Sequence, residues 1–522
     1  MTDFSNNSIS QSKERIQVEE NGLNKKKPNL KKNYFYNLLY QIFLIIAPFI
    51  TTPYVSRVLT TSGIGKYSYS FSIATYFTIF ASLGFGYYAQ RIIARKRDDK
   101  YHLTKTFWEI VLCRLIPVFI CLITNVVLCL FCVYQEYTFL MWVFNINIVA
   151  VAFDISFLYQ GKENFGSLLV KNITIRVASI ISIFIFVKSE DSLFAYALIS
   201  ALSVFLTSLF MWISVPKVLM RIKINVLRPL SHLKGTLVLF LPTIAVSVYT
   251  VLDKTLIGLL ISGESEIIAN GELIVKKTSD LENGYYEQSE KIVKMAMVII
   301  TSLGSVMIPR NSNAMACGNF EEAKKNIIVS SSLVLLFAVP ISLGLIVVAD
   351  NFIPWFLGDG YEKSIFIMKL LSPLVLILGF SNVLGLQYLI PSGKDREFTF
   401  AIVCGAVVNF LLNIFFIKIW WSIGAAIATL LAETVVTSIM FFLVRKEINF
   451  LKIIVLGWKY YLSGCIMFIS CFAISSFLSP SVLNTLIIVV SGVLIYFTIL
   501  LILRDKTVVN LLKKCLPFFR KK

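Results

Sequence analysis

The residues in this chain best placed to do chemistry are ionisable groups inside long apolar runs. Arg176, Lys294 and Glu433 stand near the middle of such runs. Asp253 and Lys254 lie in the outer half of another, and Glu109, Arg114, Asp154 and Lys171 lie nearer the inner ends of theirs. A charge in hydrocarbon is costly unless it meets water, a partner or a ligand, so each marks a candidate site. Lys369 is close enough to an end to snorkel. Arg176 is eleven residues from either end of its run at 165–187, too deep for that escape. Six basic groups (Arg114, Lys171, Arg176, Lys254, Lys294, Lys369) outnumber four acidic ones (Glu109, Asp154, Asp253, Glu433). The excess favours an anionic ligand, and Arg forks with Lys point charges suit phosphate. The competing reading of Arg176 is a structural pair with Glu433 or Asp154. Lys291 precedes Lys294 by one helical turn, and Tyr285, Tyr286, Glu287 and Gln288 precede both. A polar, aromatic entrance of this kind suits sugar hydroxyls, although an ordinary interfacial belt has the same composition. Asp154, Asp253 and Glu433 are the candidates for coupling to a proton or sodium ion.

Other chemistry is largely absent. There is no GxxxxGK[ST] phosphate loop, nucleophile elbow or HExxH. Gly63-Ile64-Gly65-Lys66 lacks the phosphate-loop spacing. The two histidines, His102 and His232, both fall in inner basic loops. The nine cysteines show no metal-ligand spacing, and none falls in an outer loop. No metal, cofactor, disulfide or enzymatic activity is therefore expected.

The elements that must position these groups follow from composition. Of 522 residues 57% are hydrophobic and only 15% charged. That excludes an ordinary soluble enzyme and a disordered chain. Fourteen apolar runs can be drawn, at 34–56, 67–88, 107–133, 138–160, 165–187, 192–213, 236–262, 285–308, 327–348, 365–390, 399–417, 422–444, 460–478 and 485–503. Each is long enough to span a bilayer as a helix, and none alternates like a barrel strand.

The net charge of +19 would suggest nucleic acid in a soluble protein. Here it sorts by side. With the amino terminus inside, inner segments hold 35 Lys and Arg against 8 outside. One missed span would invert every later loop, so an even number with both termini cytoplasmic is expected. The seven tryptophans sit near span ends, as interfacial anchors do.

The expected organisation has a disordered basic tail (1–33), a first lobe of six spans (34–213) and a second of six (236–444). Two further spans (460–503) and a basic tail (504–522) complete it. The fold class is all-α and polytopic. The lobes look weakly alike. Ala47-Pro48 answers Leu241-Pro242, and Leu83-Gly84 with Arg91 answers Leu303-Gly304 with Arg310. Two parallel repeats meeting at a seam suit alternating access. Pro48, Pro53 and Pro242 are expected kink points.

The stretch Pro48-Phe49-Ile50-Thr51-Thr52-Pro53-Tyr54-Val55-Ser56-Arg57-Val58-Leu59, then Gly63-Ile64-Gly65-Lys66-Tyr67-Ser68-Tyr69-Ser70, resembles the start of Wzx-type polysaccharide repeat-unit flippases. So do Tyr249-Thr250-Val251-Leu252-Asp253-Lys254, Gly284-Tyr285-Tyr286-Glu287-Gln288-Ser289-Glu290-Lys291-Ile292 and Ile308-Pro309-Arg310. That family belongs to the multidrug/oligosaccharidyl-lipid/polysaccharide exporter superfamily. The resemblance implies a bacterial inner-membrane protein moving undecaprenyl-pyrophosphate-linked oligosaccharide to the outer leaflet, for capsule, exopolysaccharide or O-antigen. It also implies work beside a polysaccharide polymerase and chain-length machinery, with no nucleic acid. Related lipid II flippases use a cationic central cavity. Arg57, Arg91, Arg176, Lys254, Lys294 and Arg310 are the candidates here, and Arg57, Asp253, Lys254, Lys291 and Arg310 stand at family-motif positions. The loop at 263–283 is longer than in many relatives. The rivals are a cation-coupled multidrug antiporter, which predicts an acidic cavity, and a membrane polysaccharide polymerase or ligase, which predicts a large outer catalytic loop. A non-transporting scaffold has no use for charge in mid-span.

Overall fold

The computed structural model describes residues 30–269, 272–505 and 507–509. Most of both expected tails, 1–29 and 510–522, therefore lies outside the described residues. Among the described residues the elements are helices apart from one hairpin, because a backbone crossing lipid must satisfy its own hydrogen bonds. Large apolar side chains point outward on many helices, among them Phe119, Ile123, Phe415 and Leu494. Facing lipid, such side chains have no reason to be buried. Among the described residues eight helices are long and apolar enough to cross a membrane.

The fourteen apolar runs all fall on helical segments, but the helices join and divide them differently. Leu30–Ser82 contains the first run and most of the second, and its one non-helical residue is Thr60 (φ 58, ψ 176). Asp395–Val444 joins runs eleven and twelve, with the break at Trp421 (φ 56, ψ −128), one residue before the expected boundary. Run four divides into Thr138–Phe153 and Ser156–Gly161. Run ten divides at Ser372-Pro373 into Glu362–Leu371 and Leu374–Leu384, followed by one wide turn at Gly385–Leu389. Pro48 and Pro53 lie inside helical backbone; nothing is described of the Pro242 side chain.

Side-chain caps set several helix starts. Asp99 accepts from the N–H groups of Tyr101 (2.9 Å) and His102 (3.0 Å) and opens Lys100–Leu130. Asn164 opens Phe165–Phe186, and Asn319 opens Phe320–Leu357. Each supplies an oxygen to an end N–H that has no partner within the helix.

Packing divides the chain in two. One set of core clusters draws on residues between Val55 and Leu219. Another joins residues from Leu256 to Val508. The last two helices, Trp458–Ser475 and Val482–Ile502, contribute Met467, Cys471, Ile488 and Tyr496 to this second core. Tyr496 also donates to the carbonyl of Leu336 (3.0 Å) on helix Phe320–Leu357.

The halves meet where glycine allows backbone to touch backbone. A Cβ at Gly65 would overlap the carbonyl of Asp280, one at Gly284 would overlap the carbonyl of Thr61, and one at Gly258 would strike the Tyr69 ring. These three contacts pin Leu30–Ser82 of the first half against Leu233–Leu260 and Thr278–Ala316 of the second. Gly344, by contrast, faces open space. Gly65→Ala is expected to lower stability in detergent by about 1–3 kcal/mol through overpacking. Gly344→Ala is expected to stay within about 0.5 kcal/mol of the native chain. Thermal unfolding of the two purified variants checks both.

Candidate functional site

Two helices of the first half carry polar stripes on otherwise apolar surfaces. Asn172, Arg176 and Ser179 recur at helical spacing on Phe165–Phe186, and Ser200, Ser203 and Thr207 do so on Leu193–Trp212. Residues three, four or seven apart share a helix face, so each stripe points one way. Both stripes line two hollows that share wall residues, and a third hollow has wall residues in common with one of them. One, of about 360 Å³, is lined by Phe43, Asp154, Gln160, Asn172, Arg176, Ser203 and Thr207, among others. A smaller one of about 90 Å³ shares Arg176 and Ser203 and adds Thr51, Tyr196, Ser200 and Lys291. A third, of about 390 Å³, shares Asp154 and Ser208 with the first and is bordered by Thr75, Thr78, Arg114 and Asn147.

Arg176 and Lys291 are brought together on the wall of the 90 Å³ hollow, one from each half. Among the described residues neither makes an ion pair. Asp154 lines the 360 Å³ hollow beside Arg176, and its carboxylate accepts from the Ser156 N–H (2.9 Å). Arg114 is buried and donates to the carbonyls of Val151 and Asp154, closing the end of the helix before them. The three walls therefore offer hydroxyls and amides, Arg176 and Lys291 from opposite halves, the backbone-bonded Arg114, and one carboxylate.

The other deep cations are arranged differently from the sequence expectation. Lys254 lies 2.5 Å from Glu287 and 3.0 Å from Glu290. Lys294 lies 2.7 Å from Glu290. Ser68, from the first half, donates to Glu287 (2.9 Å). Lys254 and Lys294 are thus neutralised within a mixed cluster rather than presented as bare phosphate ligands. Glu287 and Glu290 carry that correction: they project from the same helix as Lys291 and Lys294, one turn earlier.

Tyr286 and Gln288 are buried, so the expected aromatic entrance is internal packing instead. The Tyr285 ring is half-buried, and its carbonyl accepts from Ser289 (2.8 Å) and Ser364 (3.2 Å). Arg57 is exposed at the seam, where it donates to the carbonyl of Trp355. Arg91, on Phe85–Lys96, and Arg310, near the end of Thr278–Ala316, are exposed and line none of these three hollows.

Asp253 is buried inside the second half. Its carboxylate accepts from Tyr286 (2.6 Å), Thr429 (2.6 Å), Asn413 (2.7 Å) and Asn409 (3.2 Å). The amide oxygens of Asn409 and Asn413 are buried without a partner. Carboxylate, hydroxyl and amide oxygens together form the donor set preferred by hard cations. Glu433 is buried on the same helix as these residues, one turn after Thr429.

Several residues here escape a reading based on charge alone. Asn409 and Asn413 stand four apart, and so do Thr429 and Glu433. That spacing was the available signal, together with the polar stripes at 172–179 and 200–207.

Comparisons with known proteins follow the same outline. A family model described as polysaccharide biosynthesis protein matches residues 30–315, and a second of that description matches 269–366. A protein described as an O-antigen transporter in Escherichia coli (strain K12) is 25% identical over 437 residues, covering 81% of this chain and 99% of its own. A counterpart in Shigella dysenteriae is 22% identical over 420 residues, covering 79% and 99%. Among solved structures, the lipid II flippase MurJ in an inward closed conformation superposes with a TM-score of 0.61 at 15% identity, over 88% of this chain and 99% of that one. An inward-facing multidrug resistance MATE family transporter of the MOP superfamily gives 0.58 at 14% identity, over 78% and 99%. At such identities the structures establish the fold. The chain is an all-α, multi-pass membrane protein whose relatives are transporters and not enzymes.

Removing one member of a buried ion cluster strands the others. Lys254→Met is expected to cost about 3–5 kcal/mol, because Glu287 loses its ion partner and Glu290 keeps only Lys294. Adding Glu287→Gln to that variant is expected to recover part of the loss. Thermal unfolding of the single and double variants measures the coupling.

Proposed function

Because the chain belongs to the polysaccharide biosynthesis protein family, we propose that it is a flippase for lipid-linked oligosaccharide, carrying undecaprenyl-pyrophosphate-linked repeat units from the cytoplasmic to the outer leaflet of the bacterial inner membrane. The observation that carries this reading is the 90 Å³ hollow where Arg176 and Lys291, neither in an ion pair among the described residues, stand beside Thr51, Ser179, Ser200 and Ser203, together with the larger hollow that shares Arg176 and Ser203 and adds Gln160 and Asn172. A pyrophosphate with several sugars cannot enter hydrocarbon unaided, since each ionised oxygen and each unmet hydroxyl is penalised there. Two cations supply the counter-charge. The hydroxyl and amide walls supply partners for the glycan.

The lipid tail has a different requirement. An apolar groove of about 460 Å³ lies among helices Phe320–Leu357, Trp458–Ser475 and Val482–Ile502, lined by Phe337, Ile341, Met467, Val489 and Val493, among others. Its lining is almost wholly hydrocarbon, which suits a polyprenyl chain that never leaves lipid. The two halves rock about the seam in an alternating-access cycle. Asp253, with Asn409, Asn413 and Thr429, takes the coupling cation or proton. In that cycle Lys254 and Lys294 set the position of Glu287 and Glu290, and Lys291 is left to meet the headgroup.

The relatives' names point to surface glycans of the O-antigen type. The rival reading, a multidrug antiporter for cations, calls for an acidic cavity. Arg176 and Lys291 against Asp154 give the opposite balance.

Arg176→Ala and Lys291→Ala are each expected to cut surface glycan at least roughly tenfold while the protein still inserts, as loss of a charge-assisted phosphate contact of about 1.5–3 kcal/mol implies. The lipid-linked precursor then accumulates in the cytoplasmic leaflet. Normal surface glycan in both variants contradicts the cationic site. Asp253→Asn is expected to leave headgroup binding intact and to remove the dependence of transport on the ion gradient.

A further inference from the structure

The segment expected to be an outer loop begins as a β-hairpin. β1 (Glu264–Ala269) pairs antiparallel with β2 (Glu272–Lys277), placing Glu264 opposite Lys277 and Ser265 opposite Lys276. Its base is tied by the Thr278 N–H to the Gly263 carbonyl (3.0 Å) and by the hydroxyls of Ser265 and Thr278 (2.8 Å). From that base two consecutive lysines reach out of the second half onto two turns of the first. Lys276 lies 2.6 Å from Glu190, in the turn Glu190–Ser192. Lys277 lies 2.9 Å from Glu136, in the turn Gln135–Tyr137, with its ammonium 5.1 Å from the Tyr137 ring centre. Successive residues of a strand point to opposite faces, so neighbouring lysines can serve two separate turns. Tyr137 also donates to Asp280 (2.8 Å), the residue whose carbonyl abuts Gly65 at the seam.

Each glutamate has a second partner inside its own half. Lys66 lies 3.7 Å from Glu136, and Thr60 donates to Glu190 (3.2 Å). Burial pushes the Glu136 carboxyl up, but Lys277 and Lys66 outweigh it and hold the group below its usual range.

We propose that this hairpin is an ionic clasp that holds the outer mouth of the seam shut and lets go once in every transport cycle. The proposal rests on the two-half transport reading above. Partly exposed ion pairs are individually weak and are screened by salt, so a clasp built from them parts readily. When it parts, Lys66 and Thr60 keep Glu136 and Glu190 from being left without partners. The hairpin continues directly into Thr278–Ala316, so releasing the lysines frees the outer end of the helix that carries Lys291.

The test reads the seam and not the cargo. Ser200, on the wall of the hollow, is replaced by cysteine, and its alkylation by a membrane-impermeant maleimide added outside intact cells is followed by site-resolved mass spectrometry. Lys276→Glu is expected to raise the labelling rate roughly three- to tenfold, in line with the loss of a weak pair and the gain of a repulsive one. The milder Lys276→Ala gives a smaller rise in the same direction. Combining Lys276→Glu with Glu190→Lys returns the rate to that of the native pair. A rate indifferent to Lys276→Glu and Lys276→Ala, or a charge swap that fails to restore it, overturns the clasp. If labelling stays flat while Arg176→Ala still accumulates the lipid-linked precursor, the clasp falls and the flippase reading stands. If labelling responds while Arg176→Ala leaves surface glycan normal, the clasp stands and the flippase reading falls.

Discussion

Charge inside a low-dielectric slab has to be neutralised, hydrogen-bonded or wetted, and that constraint organises this molecule. Among the described residues most deep cations are answered by fixed groups. Lys254 and Lys294 have Glu287 and Glu290. Lys171 has the hydroxyls of Tyr159 (2.6 Å) and Ser214 (2.8 Å). Lys369 has Asp350 (2.6 Å), and Arg114 has two backbone carbonyls. Those side chains hold structure. Arg176 and Lys291 instead share the wall of a small hollow and make no ion pair among the described residues, although Asp154 lines the neighbouring hollow with Arg176 and the charge of Glu287 reaches Lys291. The difference between a cation in an ion pair and one outside any is the ground on which the proposed site is chosen.

The same accounting explains why the seam is built from glycine, backbone carbonyls and paired charges. In the proposed cycle the two halves part, which an interlocked apolar core between them would oppose. Gly65 and Gly284 give close contact with little side-chain interdigitation, and Ser68 reaches across to a carboxylate already held by Lys254. Apolar packing is concentrated within each half, and the last two helices join the second half through Tyr496 and Met467. Their groove is lined almost wholly by apolar side chains and shares no lining residue with the hollow of Arg176 and Lys291.

Much of the fold was legible because hydropathy and charge bias are long-range, redundant signals. The break at Trp421 falls beside the boundary drawn at 417–422, since an aromatic-rich interface interrupts the apolar pattern there. Arg176 stood out in the sequence because the middle of run 165–187 lies far from either interface. The failures have physical causes too. Lys254 and Lys294 read as free cations because a one-dimensional count does not show that Glu287 and Glu290, at the outer end of run 285–308, turn toward them. Tyr286 and Gln288 read as an entrance because composition does not say which helix face is buried. The hairpin at 264–277 was hidden because a short polar, acidic stretch carries little of the alternation that marks a buried strand.

The central claim is that Arg176 and Lys291 together hold an anionic headgroup between the halves. It is tested most directly by binding to the purified protein in detergent, with undecaprenyl pyrophosphate bearing no sugar, followed by native mass spectrometry with inorganic pyrophosphate as competitor. The account predicts saturable binding that pyrophosphate displaces and that weakens at least roughly tenfold in Arg176→Ala and again in the double variant with Lys291→Ala. Equal binding by the native chain and the double variant would contradict it.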